Sequence, residues 1–137
     1  MKAKVLTKRD LVEWVDEQPF SITLTILFGG ERLYHCDEAV GVVVKGKIVA
    51  VASIAPHGEG TGTPTIVGLY TIPEHRRAGY GAVAFQAAIK RCRQRAFEKV
   101  RVDVTSGYVT RMIAKLPAAD LAYLRIHDSG SVMDLFN

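Results

Sequence analysis

The sequence predicts one α/β domain, and three observations support this. The chain has 137 residues, 48% of them hydrophobic and 23% charged, which is typical of one globular domain spanning residues 1–137. Apolar runs with the period of strands occur between segments with the apolar spacing of helices. A strand, a glycine-containing turn and a long helix follow one another between Thr65 and Phe97.

The N-terminal part of the chain predicts a capped helix and then a strand. Thr7 and Asp10 stand three residues apart before an apolar stripe, which is the pattern of a helix N-terminus, and Pro19 ends that helix. The segment Phe20–Ile26 alternates apolar and hydroxyl-bearing side chains with a period of two. This alternation predicts a strand.

The middle of the chain predicts a β-hairpin followed by a glycine-rich loop. Two apolar runs, Ala39–Lys45 and Lys47–Ala55, flank Gly46 and therefore predict strands joined by a tight turn. The loop from Pro56 to Pro64 contains three glycines, but no Gly-Lys-Ser/Thr follows them. This excludes a P-loop.

The segment after this loop has the pattern of a phosphate-binding turn. Thr65–Ile72 predicts a strand, Pro73–Gly81 a polar turn with two glycines, and Ala82–Phe97 a helix. The predicted apolar stripe of that helix is Phe85, Ile89, Cys92 and Ala96. Backbone N–H groups in the first turn of a helix lack partners within it and favour negative charge. Glycines there let a phosphate approach the backbone closely.

The rest of the chain predicts a strand, two helices and a short final strand. Lys99–Thr105 alternates valines with polar residues and predicts a strand, and Tyr108–Leu116 has the apolar spacing of a helix. Pro117 breaks this helix, and Ala118–Ile126 predicts another. Ser131–Phe136 predicts the last strand.

The central segment resembles the signature of the GNAT superfamily of N-acetyltransferases. In that signature a strand ends in an apolar residue and proline, and Arg/Gln-x-x-Gly-x-Gly/Ala then opens a helix. Here Ile72-Pro73 precedes Arg76-Arg77-Ala78-Gly79-Tyr80-Gly81. The resemblance implies a single GNAT-like domain whose mixed central sheet is flanked by helices. It also implies that two parallel strands, Thr65–Ile72 and Lys99–Thr105, splay apart at the cofactor site.

The resemblance further implies acetyl-CoA as cosubstrate and requires no metal. Backbone groups of Tyr70, Thr71 and Ile72 would pair with the pantetheine amides. Five backbone N–H groups would hold the pyrophosphate: those of Arg77, Ala78, Gly79, Tyr80 and Gly81. The side chain of Arg76 or Arg77 would add charge-assisted hydrogen bonds, and Gly68 would mark the bulge where the splay begins.

Acetyl transfer to an amine needs a base for the ammonium and an acid for the leaving thiolate. Family members often place a tyrosine acid in the last helix, and Tyr123 resembles that residue; Tyr108 is an alternative. Many relatives carry a glutamate base on the signature strand, and this strand has none. His57 and Glu59 in the glycine loop are therefore the base candidates, by loop closure. A water chain could also replace a side-chain base, and each of these residues could instead be merely packed or exposed.

Charge and composition restrict the partners. The net charge is +4, and six basic residues surround a single acid, Glu98: Lys90, Arg91, Arg93, Arg95, Lys99 and Arg101. This cluster is either a solvated helix face or a surface for an acidic partner such as nucleic acid, although no nucleic-acid motif accompanies it. No apolar run is long enough for a membrane span or a signal peptide, so we expect a cytoplasmic protein without membrane contact.

Two functions from different classes remain open on the sequence. The first is a small N-acetyltransferase acting on an amine acceptor, which could be a small molecule or a protein. The second is a catalytically weak or inactive GNAT-fold module that binds a protein or nucleic acid. The chain also ends with fewer strands than is usual for the family, so a partner subunit in a homodimer could complete the acceptor side.

Overall fold

The computed structural model describes residues 1–29, 31–104 and 107–128. Six strands are formed in this part of the chain: β1 Lys2–Thr7, β2 Glu38–Val44, β3 Lys47–Ala55, β4 Thr65–Thr71, β5 Val100–Val104 and β6 Leu124–Asp128. The helices there are α1 Lys8–Glu17, α2 Ile22–Phe28, α3 Glu31–His35, α4 Tyr80–Gln94, α5 Gly107–Ala114 and α6 Ala118–Tyr123. The strand predicted at Ser131–Phe136 lies outside the described residues.

The strands form one mixed sheet in the order β1-β2-β3-β4-β5-β6. The first four strands are antiparallel to their neighbours, whereas β4, β5 and β6 run parallel. Helix α4 packs against β2, β3 and β4, and α1 and α2 cover the other face. The faces can be assigned because Tyr70 contacts Trp14 of α1, while its neighbour Thr71 lies against the start of α4. The expected mixed sheet flanked by helices is therefore confirmed.

The first helix follows the sequence prediction, but the strand predicted at Phe20–Ile26 is wrong. The Thr7 side chain accepts a hydrogen bond from the Asp10 N–H, and the Asp10 side chain accepts one from the Thr7 N–H, which completes a capping box. Residues 22–28 form helix α2, which Ser21 caps by accepting a hydrogen bond from the Leu24 N–H. Leu24 and Phe28, one helical turn apart, are buried. Burial of this pair and the cap outweigh the local alternation.

The bulge predicted at Gly68 is confirmed and coincides with the loss of pairing between β4 and β5. Val51 pairs with Tyr70 but Ser53 pairs with Val67, so β4 has one more residue than β3 in this interval. Gly68 has φ +61, a left-handed conformation that a side chain disfavours. Parallel pairing with β5 is limited to Thr65 and Ile66, before the bulge. The two strands therefore separate towards their C-terminal ends, as the resemblance implied.

The helix predicted over residues 82–97 corresponds to α4, which begins two residues earlier and ends three residues earlier than predicted. Its end is a Schellman motif, in which the Phe97 N–H bonds the Cys92 carbonyl and the Ala96 N–H bonds the Arg93 carbonyl. Ala96 takes the left-handed position, with φ +62, and is exposed. Its predicted place in the buried stripe is therefore wrong. Glycine usually marks this position, so the alanine gave no signal of a helix end.

The helix predicted over Ala118–Ile126 is correct only as far as Tyr123. The backbone becomes extended at Leu124, and β6 pairs in parallel with β5 from Leu124 opposite Val100. This pairing satisfies the outer edge of β5, which outweighs the helix propensity of the segment. Strand β1 was not predicted either. Only Leu6 of this strand is buried, so its sequence lacks the alternation of apolar and polar residues that indicates a strand.

The buried apolar residues form one continuous cluster between the sheet and its helices. Phe85 and Ile89 of α4 are almost completely buried, as the predicted stripe requires. Both cysteines are free and buried. Burial raises the pKa of Cys92 to about 12, so this thiol stays protonated and belongs to the core.

Replacing Gly68 with alanine should destabilise the protein more than the same change at Gly46. A Cβ at Gly68 would lie 2.7 Å from the Ser53 Oγ and 2.8 Å from the Phe28 Cε1, whereas one at Gly46 meets nothing within 4 Å. Both residues have positive φ, so Gly46→Ala is the control for backbone strain, at about 1–2 kcal/mol. We expect Gly68→Ala to cost about 1–3 kcal/mol more in urea unfolding. Equal losses would contradict the close packing at the bulge.

Candidate functional site

The turn between β4 and α4 leaves the first backbone N–H groups of α4 facing away from the helix. Gly79 is the N-cap residue, with φ +84, and no side chain of the described residues caps it. The N–H groups of Tyr80, Gly81 and Ala82 precede the first hydrogen bond of the helix, from Val83 to the Gly79 carbonyl. We call this turn, residues 76–81, the cradle. Its donors and the helix dipole favour an anion.

The two glycines of the cradle are needed for different reasons. A Cβ on Gly79 would meet nothing within 4 Å, so that position is open and its constraint is the positive φ. A Cβ on Gly81 would lie 2.2 Å from the Tyr108 hydroxyl oxygen and 3.2 Å from the Thr71 Oγ1. Gly81 therefore leaves room for these two side chains.

The end of β4 leads into the cradle, but its three residues do not offer equivalent backbone groups. The Ile72 N–H donates to the Val49 carbonyl of β3 at 2.9 Å. Because backbone groups alternate between the two neighbours of a strand, Thr71 is the residue that faces the gap towards β5. Of the three predicted residues, Thr71 is therefore the one whose backbone groups face the gap, although its carbonyl already accepts a hydrogen bond from the Arg76 side chain. The N–H of Ile72 is used within the sheet.

The two arginines of the cradle differ in the contacts that their side chains make. The Arg76 Nε donates to the Thr71 carbonyl at 2.9 Å, and its guanidinium carbon lies 5.4 Å from the centre of the Tyr70 ring. This fixes a positive charge at the C-terminal end of β4. Arg77 has φ +68 and an exposed side chain, and the strain of this conformation marks the tightness of the turn.

Tyr108, which the sequence offered only as an alternative acid, lies at the cradle. It belongs to α5, which follows β5, and its phenol reaches across the gap to the first turn of α4. Sequence spacing could not reveal this contact, because Tyr108 and Gly81 belong to different structural elements.

The predicted acid Tyr123 lies at the opposite end of α4 from the cradle. Its hydroxyl donates to the Phe97 carbonyl at 2.7 Å, and the Arg93 guanidinium carbon lies 4.9 Å from the centre of its ring. Burial raises the pKa of Tyr123, with the Arg93 charge opposing this shift. Helix α4 has 15 residues, a length of about 22 Å, so the structure does not bring Tyr123 and the cradle together.

The predicted bases His57 and Glu59 lie before the start of β4, whereas the cradle follows its end. Glu59 forms an ion pair with Arg32 of α3 at 3.7 Å, and His57 is exposed. The loop is held by a hydrogen bond from the Gly62 N–H to the His57 carbonyl. Asp103, the carboxylate of β5, is paired with Arg101 at 2.8 Å.

The basic cluster is largely neutralised within the chain. Arg91 contacts Glu38 at 2.6 Å, and Arg95 contacts Asp37 at 2.8 Å. Further ion pairs join Arg93 with Asp120 and Arg101 with Asp103. The pairs of Arg91, Arg93 and Arg95 join the end of α4 to the start of β2 and to α6. This favours a structural role for the basic helix face over a nucleic-acid surface. Across the described part of the chain, no helix is long and apolar enough to span a membrane.

The sequence matches the Acetyltransferase (GNAT) family model over residues 7–114. The chain therefore belongs to the GNAT acetyltransferase family. The match includes the cradle and both splayed strands and ends before α6. No curated protein sequence shows significant similarity to this chain.

Several solved structures share the fold, including the following three. A predicted acetyltransferase from Clostridium acetobutylicum, solved with acetyl-CoA, has a TM-score of 0.53 and 18% identity, over 83% of this chain and 86% of that one. The ribosomal-protein-alanine N-acetyltransferase of Brucella melitensis has a TM-score of 0.52 and 18% identity, over 86% of this chain and 94% of that one. An aminoglycoside acetyltransferase from an uncultured soil metagenomic sample, solved with sisomicin, has a TM-score of 0.53 and 17% identity, over 85% of this chain and 87% of that one. At these identities the likeness shows the fold.

Replacing Tyr123 with phenylalanine separates its structural contact from its predicted catalytic role. We expect the free energy of unfolding in urea to fall by about 1 kcal/mol, because the hydrogen bond to Phe97 is lost. Acetyl-CoA affinity should stay unchanged, because the hydroxyl lies far from the cradle. The exposed Tyr34 provides the control, Tyr34→Phe. Turnover equal to that of the unmodified protein would remove Tyr123 from the mechanism, and unchanged stability would contradict the hydrogen bond.

Proposed function

We propose that this protein is an acetyl-CoA-dependent N-acetyltransferase that transfers the acetyl group directly to an amine. The observation that carries the proposal is the cradle itself: an uncapped helix start with Gly79 at φ +84, next to the point where β4 and β5 have separated. Membership of the GNAT family supports the reaction class. The acetyl-CoA complex of the Clostridium acetobutylicum neighbour supports the cosubstrate.

In this proposal the cradle binds the diphosphate of acetyl-CoA through backbone N–H groups. The donors are those of residues 77–81, the positions that the signature predicts. Arg76 adds a positive charge at the same end of β4, and Thr71 offers its backbone to the pantetheine arm in the gap between the strands. The thioester would then lie further back along β4, towards Gly68.

The reaction requires a neutral amine. Its nitrogen attacks the thioester carbonyl carbon, the C–N bond forms and the C–S bond breaks; the nitrogen then loses one proton, and the thiolate of CoA takes up one. The seven residues of β4 include no carboxylate. The remaining routes for the ammonium proton are water, or His57 or Glu59 after loop movement. For Glu59, this movement would break the ion pair with Arg32.

The acceptor is proposed only as a class, an amine on a small molecule or a protein. The structural neighbours include an aminoglycoside acetyltransferase and a ribosomal-protein-alanine N-acetyltransferase, so both kinds of acceptor occur on this fold. The alternative function is a catalytically weak or inactive module that acts by binding a protein or nucleic-acid partner, with or without bound acetyl-CoA. The observation that favours it is the lack of a carboxylate on β4.

The first experiment is a calorimetric titration with acetyl-CoA of the unmodified protein and of two variants, Gly79→Asp and Gly79→Asn. Aspartate and asparagine are nearly isosteric and both tolerate positive φ, so they differ mainly in charge. We expect micromolar binding by the unmodified protein. The aspartate variant should bind at least about tenfold more weakly than the asparagine variant, because its carboxylate repels the diphosphate.

Each function predicts a different pattern in this experiment. Binding together with amine-dependent release of free CoA thiol supports the enzyme, whereas binding without turnover across a panel of amines supports the module. Equal affinities of the aspartate and asparagine variants would contradict the cradle. No binding at millimolar acetyl-CoA would contradict the enzyme and favour a module that acts through a macromolecular partner.

A further inference from the structure

Tyr108 bridges the open end of the gap between the splayed strands. It projects from α5, on the β5 side of the gap, and its hydroxyl contacts the first turn of α4 on the β4 side. The contact is close: a Cβ at Gly81 would lie 2.2 Å from the hydroxyl oxygen and 3.3 Å from the ring Cζ. The Thr71 Oγ1 lies 3.2 Å from the same position. Two hydroxyl groups therefore flank Gly81.

The Tyr108 hydroxyl is a hydrogen-bonding group free to meet a ligand. Tyr108 is 46% exposed, and within residues 1–29, 31–104 and 107–128 no side-chain hydrogen bond is formed by its hydroxyl. A phenol can donate one hydrogen bond and accept others. Beside it stand the N–H donors of the first turn of α4, which lack helical partners. Donors from two different elements thus converge on one place.

We propose that Tyr108 is a ligand of the acetyl-CoA diphosphate and donates its hydroxyl hydrogen to a phosphate oxygen held at the start of α4. The proposal rests on the proposed function, because it assumes that acetyl-CoA occupies the cradle. The diphosphate is the part of the ligand that fits, since Tyr108 lies at Gly81, where the helix N-terminus favours negative charge. A hydrogen bond to a charged acceptor is stronger than one to a neutral amide of the pantetheine.

The proposal also gives a reason for glycine at position 81. A methyl group there would displace the phenol, so Gly81 and Tyr108 form one unit. The sequence signature explains the small residue at this position by the close approach of a phosphate to the protein backbone. In this chain the tyrosine adds a second requirement, which comes from a residue outside the signature.

The test compares Tyr108→Phe with the unmodified protein for two ligands, acetyl-CoA and acetyl-pantetheine, which lacks the diphosphate. The variant keeps the ring and removes only the hydroxyl. We expect acetyl-CoA to bind about tenfold to a hundredfold more weakly, as for loss of a hydrogen bond to a charged group. Acetyl-pantetheine, titrated at millimolar concentration by NMR, should bind equally to both proteins. Tyr34→Phe is the matched control and should change neither affinity.

A second variant tests the unit formed with Gly81. Gly81→Ala should displace the phenol, so removing the hydroxyl in the Gly81→Ala background should weaken acetyl-CoA binding far less than it does alone. Thermal unfolding of each variant without ligand checks that it is folded.

Three results would overturn the proposal while leaving the proposed function intact. They are an unchanged acetyl-CoA affinity in Tyr108→Phe, an equal loss for acetyl-pantetheine, and tighter acetyl-CoA binding, which would mean that the phenol obstructs the site. If the unmodified protein itself does not bind acetyl-CoA, the proposed function fails, and the role of Tyr108 fails with it.

Discussion

The close packing at Gly68 is the constraint on which the site depends. The Phe28 ring of α2 and the Ser53 hydroxyl of β3 lie where a Cβ would stand on Gly68, and the Ser53 hydroxyl donates to the Val67 carbonyl beside it. These contacts hold the left-handed backbone and the bulge it creates. After the bulge β4 no longer pairs with β5. Without that divergence the two strands would satisfy each other, and no backbone of β4 would face a ligand.

The parallel strands divide the predicted site residues between two ends. The cradle and Tyr108 lie at the C-terminal end of β4, the usual place for a ligand beside parallel strands. His57 and Glu59 precede β4, and Tyr123 lies where β6 begins. This separation is consistent with binding groups and proton-transfer groups acting on different parts of an extended ligand. It equally allows a protein that binds the ligand and lacks the proton-transfer groups.

The parts of the fold that local chemistry determines were predictable from the sequence. The capping pair Thr7 and Asp10, the hairpin around Gly46 and the glycine turn before α4 each carry their own signal, and all are found. The strand predicted at Phe20–Ile26 was wrong because the burial of Leu24 and Phe28 against the rest of the protein decides that segment. The end of α4 was misplaced because alanine occupies a position where glycine would have been informative. Tyr108 could not be placed, since its partner Gly81 is distant in sequence and the contact exists only after the sheet has formed.

Helix α4 also bears on how this protein could be engineered. Helices α1 and α2 begin with side-chain caps, from Thr7 and Ser21, while α4 begins at a glycine without one. A side-chain cap is worth about 1 kcal/mol, but it requires an extended backbone at the cap residue, so a capped variant would also have to move this residue out of the left-handed φ of +84. Here the added side chain would take the same N–H donors that the proposed ligand needs. Selection for thermal tolerance alone would therefore favour variants that unfold later and bind less, and a screen for a more robust form must include ligand binding from the start.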